Sequence, residues 1–280
     1  FYYSIDGCLR IGDGLEDFVI GEDYLYIVNY CGILIRDEVL YLKRTYQNII
    51  LDNVQAFFAE PIEGVDTIYS CRKFFGVADG AFLFTNVTDV IEYERDCSYD
   101  RMQYILGRFE LGPEEFYQLY LEQEEIFGVY PVRRMSALTE NILRGLDYEK
   151  IAYKRTLNYM YLERKLKPVN LLKLPEYIYG AFSYPILIPN GERIRSELVR
   201  KKIFVPQLWK EVEKIASKDS IAAQMTNNII WLPCDQRYKI DQMRRMTEIF
   251  MECLDRCCPY KTEKARRSVG AEGIGNEDER

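Results

Sequence analysis

The amino-acid sequence predicts an α/β fold, a mostly parallel sheet followed by a small C-terminal α+β domain. Three observations lead there. Short apolar runs at residues 24–28, 48–51, 65–69 and 81–85 read as strands, each bounded by polar or turn-forming residues. A helical stretch at residues 37–47 separates the first two, which is how a crossover between parallel strands is spelled. From residue 99 onward the spacing of apolar residues becomes helical, and beyond residue 180 strands and helices alternate again.

Taken in order, residues 1–6 read as a strand, and the strand at 24–28 ends at Asn29. After the four strands come helices at 99–109 and 113–127, the second with Pro113 at its start and Glu114 and Glu115 placed for the first turn, where anions favour the helix dipole. Ser136 is a good N-cap for the helix beginning at Ala137, and Gly145 divides it from the next. That next stretch, 148–166, sets Ile151, Leu157, Tyr161 and Leu162 at near-helical spacing until Pro168 stops it. The remainder reads as strand 182–188, helix 192–201, strand 203–205, helix 209–217, strand 228–232 and helix 240–257. Residues 261–280 are charged, contain glycine and show no apolar periodicity, so disorder is expected there.

Composition narrows the chemistry. With 280 residues, 48% of them hydrophobic, the chain can bury a large core. It has no histidine, which excludes Ser-His-Asp and Cys-His nucleophile pairs and histidine-bearing zinc sites. A net charge of −7 and a pI near 5.0 argue against a broad nucleic-acid surface. Eight scattered cysteines without a Cys-x-x-Cys pair suggest free thiols in a reducing compartment and no metal site. The longest apolar stretch, 24–35, is too short to span a bilayer, and no basic-then-apolar leader precedes it. The expectation is a soluble, cytoplasmic protein with no membrane partner.

The most informative stretch is Asn48-Ile49-Ile50-Leu51-Asp52-Asn53-Val54-Gln55, followed by Tyr69-Ser70-Cys71-Arg72-Lys73 and Gly76-Val77-Ala78-Asp79-Gly80. It sets an acid, an amide, a hydroxyl, a guanidinium and a lysine at the ends of two apolar strands, and open parallel sheets bind ligands beyond their strands' carboxyl ends. An anion for a ring nitrogen, a phosphate anchor and an amine nucleophile are what pyridoxal 5'-phosphate needs. Taken singly, Asp52 also reads as a turn cap, Gln55 and Asn29 as polar loop residues, and Lys73 as a surface lysine.

Together these residues resemble the cofactor-binding core of fold-type I pyridoxal phosphate (PLP) enzymes, above all the DegT-type sugar aminotransferases, and are similar to the class V group that contains the cysteine desulfurases. The Asp-x-x-Gln of that core is matched by Asp52 and Gln55, and its Ser-x-His-Lys by Ser70-Cys71-Arg72-Lys73, with Arg72 in place of the histidine. The resemblance implies that Lys73 forms the aldimine with the cofactor and shuttles the proton, Asp52 pairs with the pyridine nitrogen, and Gln55 faces the phenolic oxygen. Ser70 and Arg72 would hold the phosphate, and Asn29 the ring oxygen or the substrate. Arg237 is the small-domain candidate for the carboxylate of the amino donor, and it reads equally as a surface arginine at the start of the last helix; the resemblance implies glutamate as that donor and a keto-sugar-type acceptor, in polysaccharide biosynthesis.

The same resemblance implies a homodimer and a partial large domain over residues 1–134, lacking its N-terminal part. A linking helix and small domain would occupy 135–260, with the boundary near Arg134. Two alternatives are compatible with the same residues. One is a PLP-dependent lyase or cysteine desulfurase-like enzyme, for which Cys234 is the candidate thiol; the other is a non-catalytic truncated protein of the same fold.

Overall fold

The computed structural model describes residues 2–15, 21–88 and 91–258, so the expectation of disorder at 261–280 lies outside the described residues. The chain divides into two compact units. One holds the described residues of Gly21–Asn29 and Ile35–Lys150; the other holds those of Phe1–Ile20, Tyr30–Leu34 and Ile151–Arg280. The residues from Ile151 onward and the segment at Tyr30–Leu34 thus belong to the same unit.

In the first of these units, β1 (Leu25–Val28), β2 (Ile49–Asp52), β3 (Asp66–Ser70) and β4 (Ala81–Phe84) form one sheet in that order. β1, β2 and β3 run parallel, with Val28 opposite Asp52 and Asp52 opposite Ile68. β4 returns antiparallel on β3, pairing Ser70 with Ala81. The crossover between β1 and β2 is α1 (Arg36–Tyr46), whose first turn is closed by the Glu38 carboxylate accepting from the Ile35 N–H at 2.9 Å.

Alternation divides the sheet's two faces. Leu25, Ile27, Ile49, Leu51, Thr67 and Tyr69 are buried, whereas Tyr26, Val28, Ile50, Asp52, Ile68 and Ser70 form a partly exposed face. Parallel sheets ordinarily bury both faces, so this one carries an open side. The unit continues with α2 (Gln103–Glu110), α3 (Tyr117–Val129) and α4 (Ala137–Arg144), the last N-capped by Ser136, whose hydroxyl accepts from the Thr139 N–H.

α5 (Tyr148–Leu166) follows the sequence reading at both ends. In the other unit, β5 (Ser183–Leu187) and β6 (Ile229–Pro233) pair antiparallel. Around them are α6 (Gly191–Arg200), the single turn α7 (Val212–Ile215), α8 (Ile221–Asn228) and α9 (Ile240–Cys257). Its core includes Tyr159, Leu162, Leu166, Tyr184, Ile186, Ile230, Leu232, Met243 and Phe250, all at most 1% exposed.

Four expectations are corrected. Residues 2–6 form no strand but one bridge, Ile5 to Ile11, because the Asp6 carboxylate accepts from the N–H groups of Cys8 and Arg10 and turns the chain back. The helix expected from Pro113 starts at Tyr117, since residues 113–116 are a turn that lays the Phe116 ring against Gly107 of α2. Residues 203–205 make no strand: Lys202 has φ 63° and the Ile203 N–H bonds back to Leu198, so that segment closes α6. Only 212–215 of the helix expected at 209–217 forms, with Trp209 at φ 56° keeping its start out of the helix.

Glu163 of α5 is 4% exposed and accepts from the Tyr184 hydroxyl at 2.9 Å. Burial raises its pKa, with the Tyr184 bond and Lys167 opposing only in part. An acid whose pKa is raised in the fold contributes most below its unfolded pKa and loses that contribution as pH rises through the folded value. Glu163→Gln is therefore expected to melt above the parent at about pH 8, the gap closing towards about pH 4. Thermal denaturation at the two pH values checks this, and a pH-independent gap contradicts it.

Candidate functional site

The candidate site is built at the carboxyl ends of β1, β2 and β3. The ladder continues past the strands: the Asn29 N–H bonds to the Asp52 carbonyl at 3.0 Å and the Asn53 N–H to the Ile68 carbonyl at 2.8 Å. Asp52 and Ser70 consequently lie on the same open face, Ser70 two residues beyond Asp52's neighbour Ile68. Asp52 Oδ1 accepts from the Val54 N–H at 2.8 Å, and Oδ2 accepts from the Tyr26 hydroxyl at 2.9 Å. A carboxylate has about four lone-pair positions, so Asp52 retains capacity for a further donor.

Asn29 and Gln55 go the other way. Asn29 is 2% exposed and donates through Nδ2 to Asn53 Oδ1 at 2.9 Å, and Gln55 is 4% exposed. Asn53 itself is fully buried, and its Nδ2 has no hydrogen-bond partner among the described residues. The amide cluster thus sits behind the strand ends, while the carboxylate and hydroxyl face outward.

Lys73 is carried on a closed loop between β3 and β4. The Cys71 N–H bonds to the Gly80 carbonyl at 3.0 Å, and the N–H groups of Phe74 and Phe75 return to the Cys71 carbonyl. Cys71, Phe74 and Phe75 are buried, the two phenylalanines in a cluster with Phe57, Phe58 and Tyr148, and Lys73 between them is exposed. Burial pushes the Cys71 thiol up to about 12, with Asp79 adding to the effect, so it stays a neutral packing group.

The loop's far end is held by a residue the sequence reading did not single out. Asp79, 5% exposed, accepts from the Ser136 N–H at 2.7 Å, the Ser136 hydroxyl at 3.0 Å and the Thr139 hydroxyl. It is a buried carboxylate at the N-terminus of α4, where the helix dipole favours an anion. Gly80 beside it has φ +106°, and a Cβ there would press on Thr139, Met135 and Cys71. The available signal was the spacing of Ser136 and Thr139 around a helix start, with an acid elsewhere to complete the cap.

Arg72 turns away from Ser70. Its guanidinium pairs with Glu124 of α3 and lies 4.1 Å from the Phe127 ring centroid. Arg237 belongs to the other unit, where Nε and Nη2 form a fork with Asp235 at 2.9 and 2.8 Å. That bond raises the Arg237 pKa; burial alone would lift Asp235, but Arg237 and Arg155 outweigh it and hold Asp235 below its usual range. Cys234 is fully buried, its thiol directed at the Ala181 carbonyl and its pKa pushed up by burial, which disfavours it as a mobile reactive thiolate.

This architecture is the fold of the fold-type I PLP aminotransferases of the DegT kind. Similar solved structures include a DegT DnrJ EryC1 StrS aminotransferase from Brucella abortus, 12% identical over 90% of this chain and 72% of that one, with a TM-score of 0.56. Helicobacter pylori PseC, an aminotransferase involved in the biosynthesis of pseudoaminic acid, is 14% identical over 91% and 73%, with a TM-score of 0.56. E coli GDP-4-keto-6-deoxy-D-mannose-3-dehydratase with bound hydrated PLP is 13% identical over 89% and 73%, with a TM-score of 0.59. At these identities the likeness is one of fold. No protein-family model matches the chain, and no curated protein matches its sequence. Among the described residues, no helix is long and apolar enough to cross a membrane.

Replacing Asp79 by Ala strands three donors and removes the tie between the Lys73 loop and α4. The expected cost is about 2–4 kcal/mol, read from chemical denaturation, with faster amide exchange at Cys71, Phe74 and Phe75. Unchanged stability and exchange would show that Asp79 does not hold the loop.

Proposed function

We propose that the protein is a PLP-dependent aminotransferase that moves an amino group from an amino acid, with glutamate as the donor, to a keto-sugar-type acceptor. The observation that carries this reading is the placing of Asp52 and Ser70 on one open face at the strand ends, with Lys73 on the clamped loop that follows. The donor set fits the cofactor: an anion with spare acceptor capacity, a hydroxyl without a hydrogen bond among the described residues, and an exposed amine. When bound, pyridoxal phosphate supplies an electron sink for charge developing at the α-carbon of an amino acid.

The chain's own residues divide the remaining work. Asp52 holds the ring nitrogen in its protonated form by opposing its charge. Ser70 donates to the phosphate, and Arg72 joins it only by giving up Glu124. Gln55 would serve the phenolic oxygen, and Asn29 the ring oxygen or substrate, only by turning out of the buried amide cluster. Lys73 Nζ would hold the cofactor at its aldehyde carbon and, when a substrate amine takes its place there, would move the proton from the donor's α-carbon to that carbon. Arg237, paired with Asp235, is the candidate in the other unit for the donor's carboxylate. A homodimer, a cytoplasmic location and a place in polysaccharide biosynthesis complete the proposal, supported by the resemblance of the Asp52 and Lys73 motifs.

The purified chain with added PLP is expected to give a visible absorbance band, and borohydride reduction followed by peptide mapping to place the adduct on Lys73. Lys73→Ala should abolish both. A folded parent chain that yields no Lys73 adduct overturns the reading. Given an active parent, Arg237→Gln is expected to raise KM for the donor amino acid by roughly tenfold, the value of one charge-assisted hydrogen bond, while Lys73 trapping is retained; an unchanged KM removes Arg237 from the site.

A further inference from the structure

Tyr26 stands on β1 opposite Ile50, two residues before the position paired with Asp52. Alternation puts its ring on the same open face as Asp52 and Ser70. Its hydroxyl donates to Asp52 Oδ2 at 2.9 Å while the ring remains 45% exposed. The residues beside it along β1, Leu25 and Ile27, are buried, 4% and 0% exposed, on the opposite face.

We infer that Tyr26 is a positioning residue that fixes the Asp52 carboxylate for a cationic ring nitrogen, an inference that rests on the proposed cofactor. With Oδ1 tied to the Val54 N–H and Oδ2 to Tyr26, the carboxylate is restrained through both oxygens, each with a lone pair left for a ring N–H. Pre-setting an acceptor in this way removes rotamer entropy that binding would otherwise have to freeze out. A ring laid on this face would also shield the Tyr26–Asp52 bond from water and strengthen it.

The test uses Tyr26→Phe, which keeps the ring and removes only the hydroxyl. Affinity is measured by absorbance titration for two probes: pyridoxal phosphate, and the analogous phosphorylated benzaldehyde in which carbon replaces the ring nitrogen. The expected result is a Kd for pyridoxal phosphate roughly three- to tenfold weaker, the equivalent of one hydrogen bond, with the analogue's Kd unchanged. In an Asp52→Asn background, Tyr26→Phe should then have no further effect on either probe.

Equal losses for both probes, or a loss that persists beside Asp52→Asn, would show that Tyr26 merely shapes the face and would overturn the inference. An unchanged pyridoxal phosphate Kd would do the same. Failure of the underlying cofactor reading is distinguishable, because the parent chain itself would then give no Lys73 adduct with either probe.

Discussion

The parallel pairing of β2 with β3 is the constraint on which the candidate site depends. It sets Leu51 opposite Thr67 and Asp52 opposite Ile68, and side chains in a strand alternate between faces with a period of two. A slip by one residue would send Asp52 into the closed side and bring Leu51 out. Burying a carboxylate there without a partner costs several kcal/mol, and exposing a leucine forfeits about 2 kcal/mol more. The register therefore holds because the buried face is apolar, and the site inherits its geometry from that face. Two bonds beyond the strand ends, from Asn29 and Asn53, extend the same register into the loops that carry the polar groups.

Lys73 poses the opposite problem, since in its proposed role the amine has to be exposed while its backbone stays fixed. The loop meets both demands by setting the exposed Lys73 between buried anchors. Phe74 and Phe75 sink into an aromatic cluster, Cys71 is fully buried, and Asp79 fastens the return limb to α4. Each buried phenylalanine contributes about 2 to 3 kcal/mol, comparable to the backbone entropy lost by fixing one or two loop residues. The polar tie at Asp79 adds direction, which apolar packing does not supply. Arg72 is drawn off to Glu124 and Phe127, leaving Lys73 as the basic side chain of the Ser70–Lys73 segment that remains exposed.

Much of this was legible in the sequence because local signals and tertiary packing agreed. β1 to β4 are short apolar runs between turns, α4 has Ser136 as its cap, and α5 and α9 carry long apolar periodicities with clear stops. The failures have a common physical form. At Pro113 the local signal for a helix start was strong, yet Phe116 gains more by lying against Gly107 than by entering the helix. At Lys202 and Trp209, positive φ values decide where helices end or begin, and neither residue type announces that conformation. α8 was missed although Ser220 caps it, its hydroxyl accepting from the Ala223 N–H at 3.2 Å. For the site, the sequence named the strand-end residues but not their partners, because Tyr26 reaches Asp52 and Asp79 reaches Ser136 only across the fold.

The charge balance around Arg237 limits how it can act. Arg155 is 2% exposed, and its guanidinium is met by Gln236 Oε1 at 2.7 Å and by the carbonyls of Ala181 and Phe182. Burial lowers its pKa, and the nearby Asp235 opposes that shift. Asp235 thus answers two arginines, and the three groups together carry one positive charge. An arriving carboxylate would neutralise that charge, but it would share Arg237 with a carboxylate already bound through two hydrogen bonds. Such a site gains less affinity than a free arginine would give, while the Asp235 fork fixes the plane in which the remaining N–H groups are offered. Asp235 thereby trades attraction for orientation, and in the proposed role an anion bound here would be selected by its geometry more than by its charge.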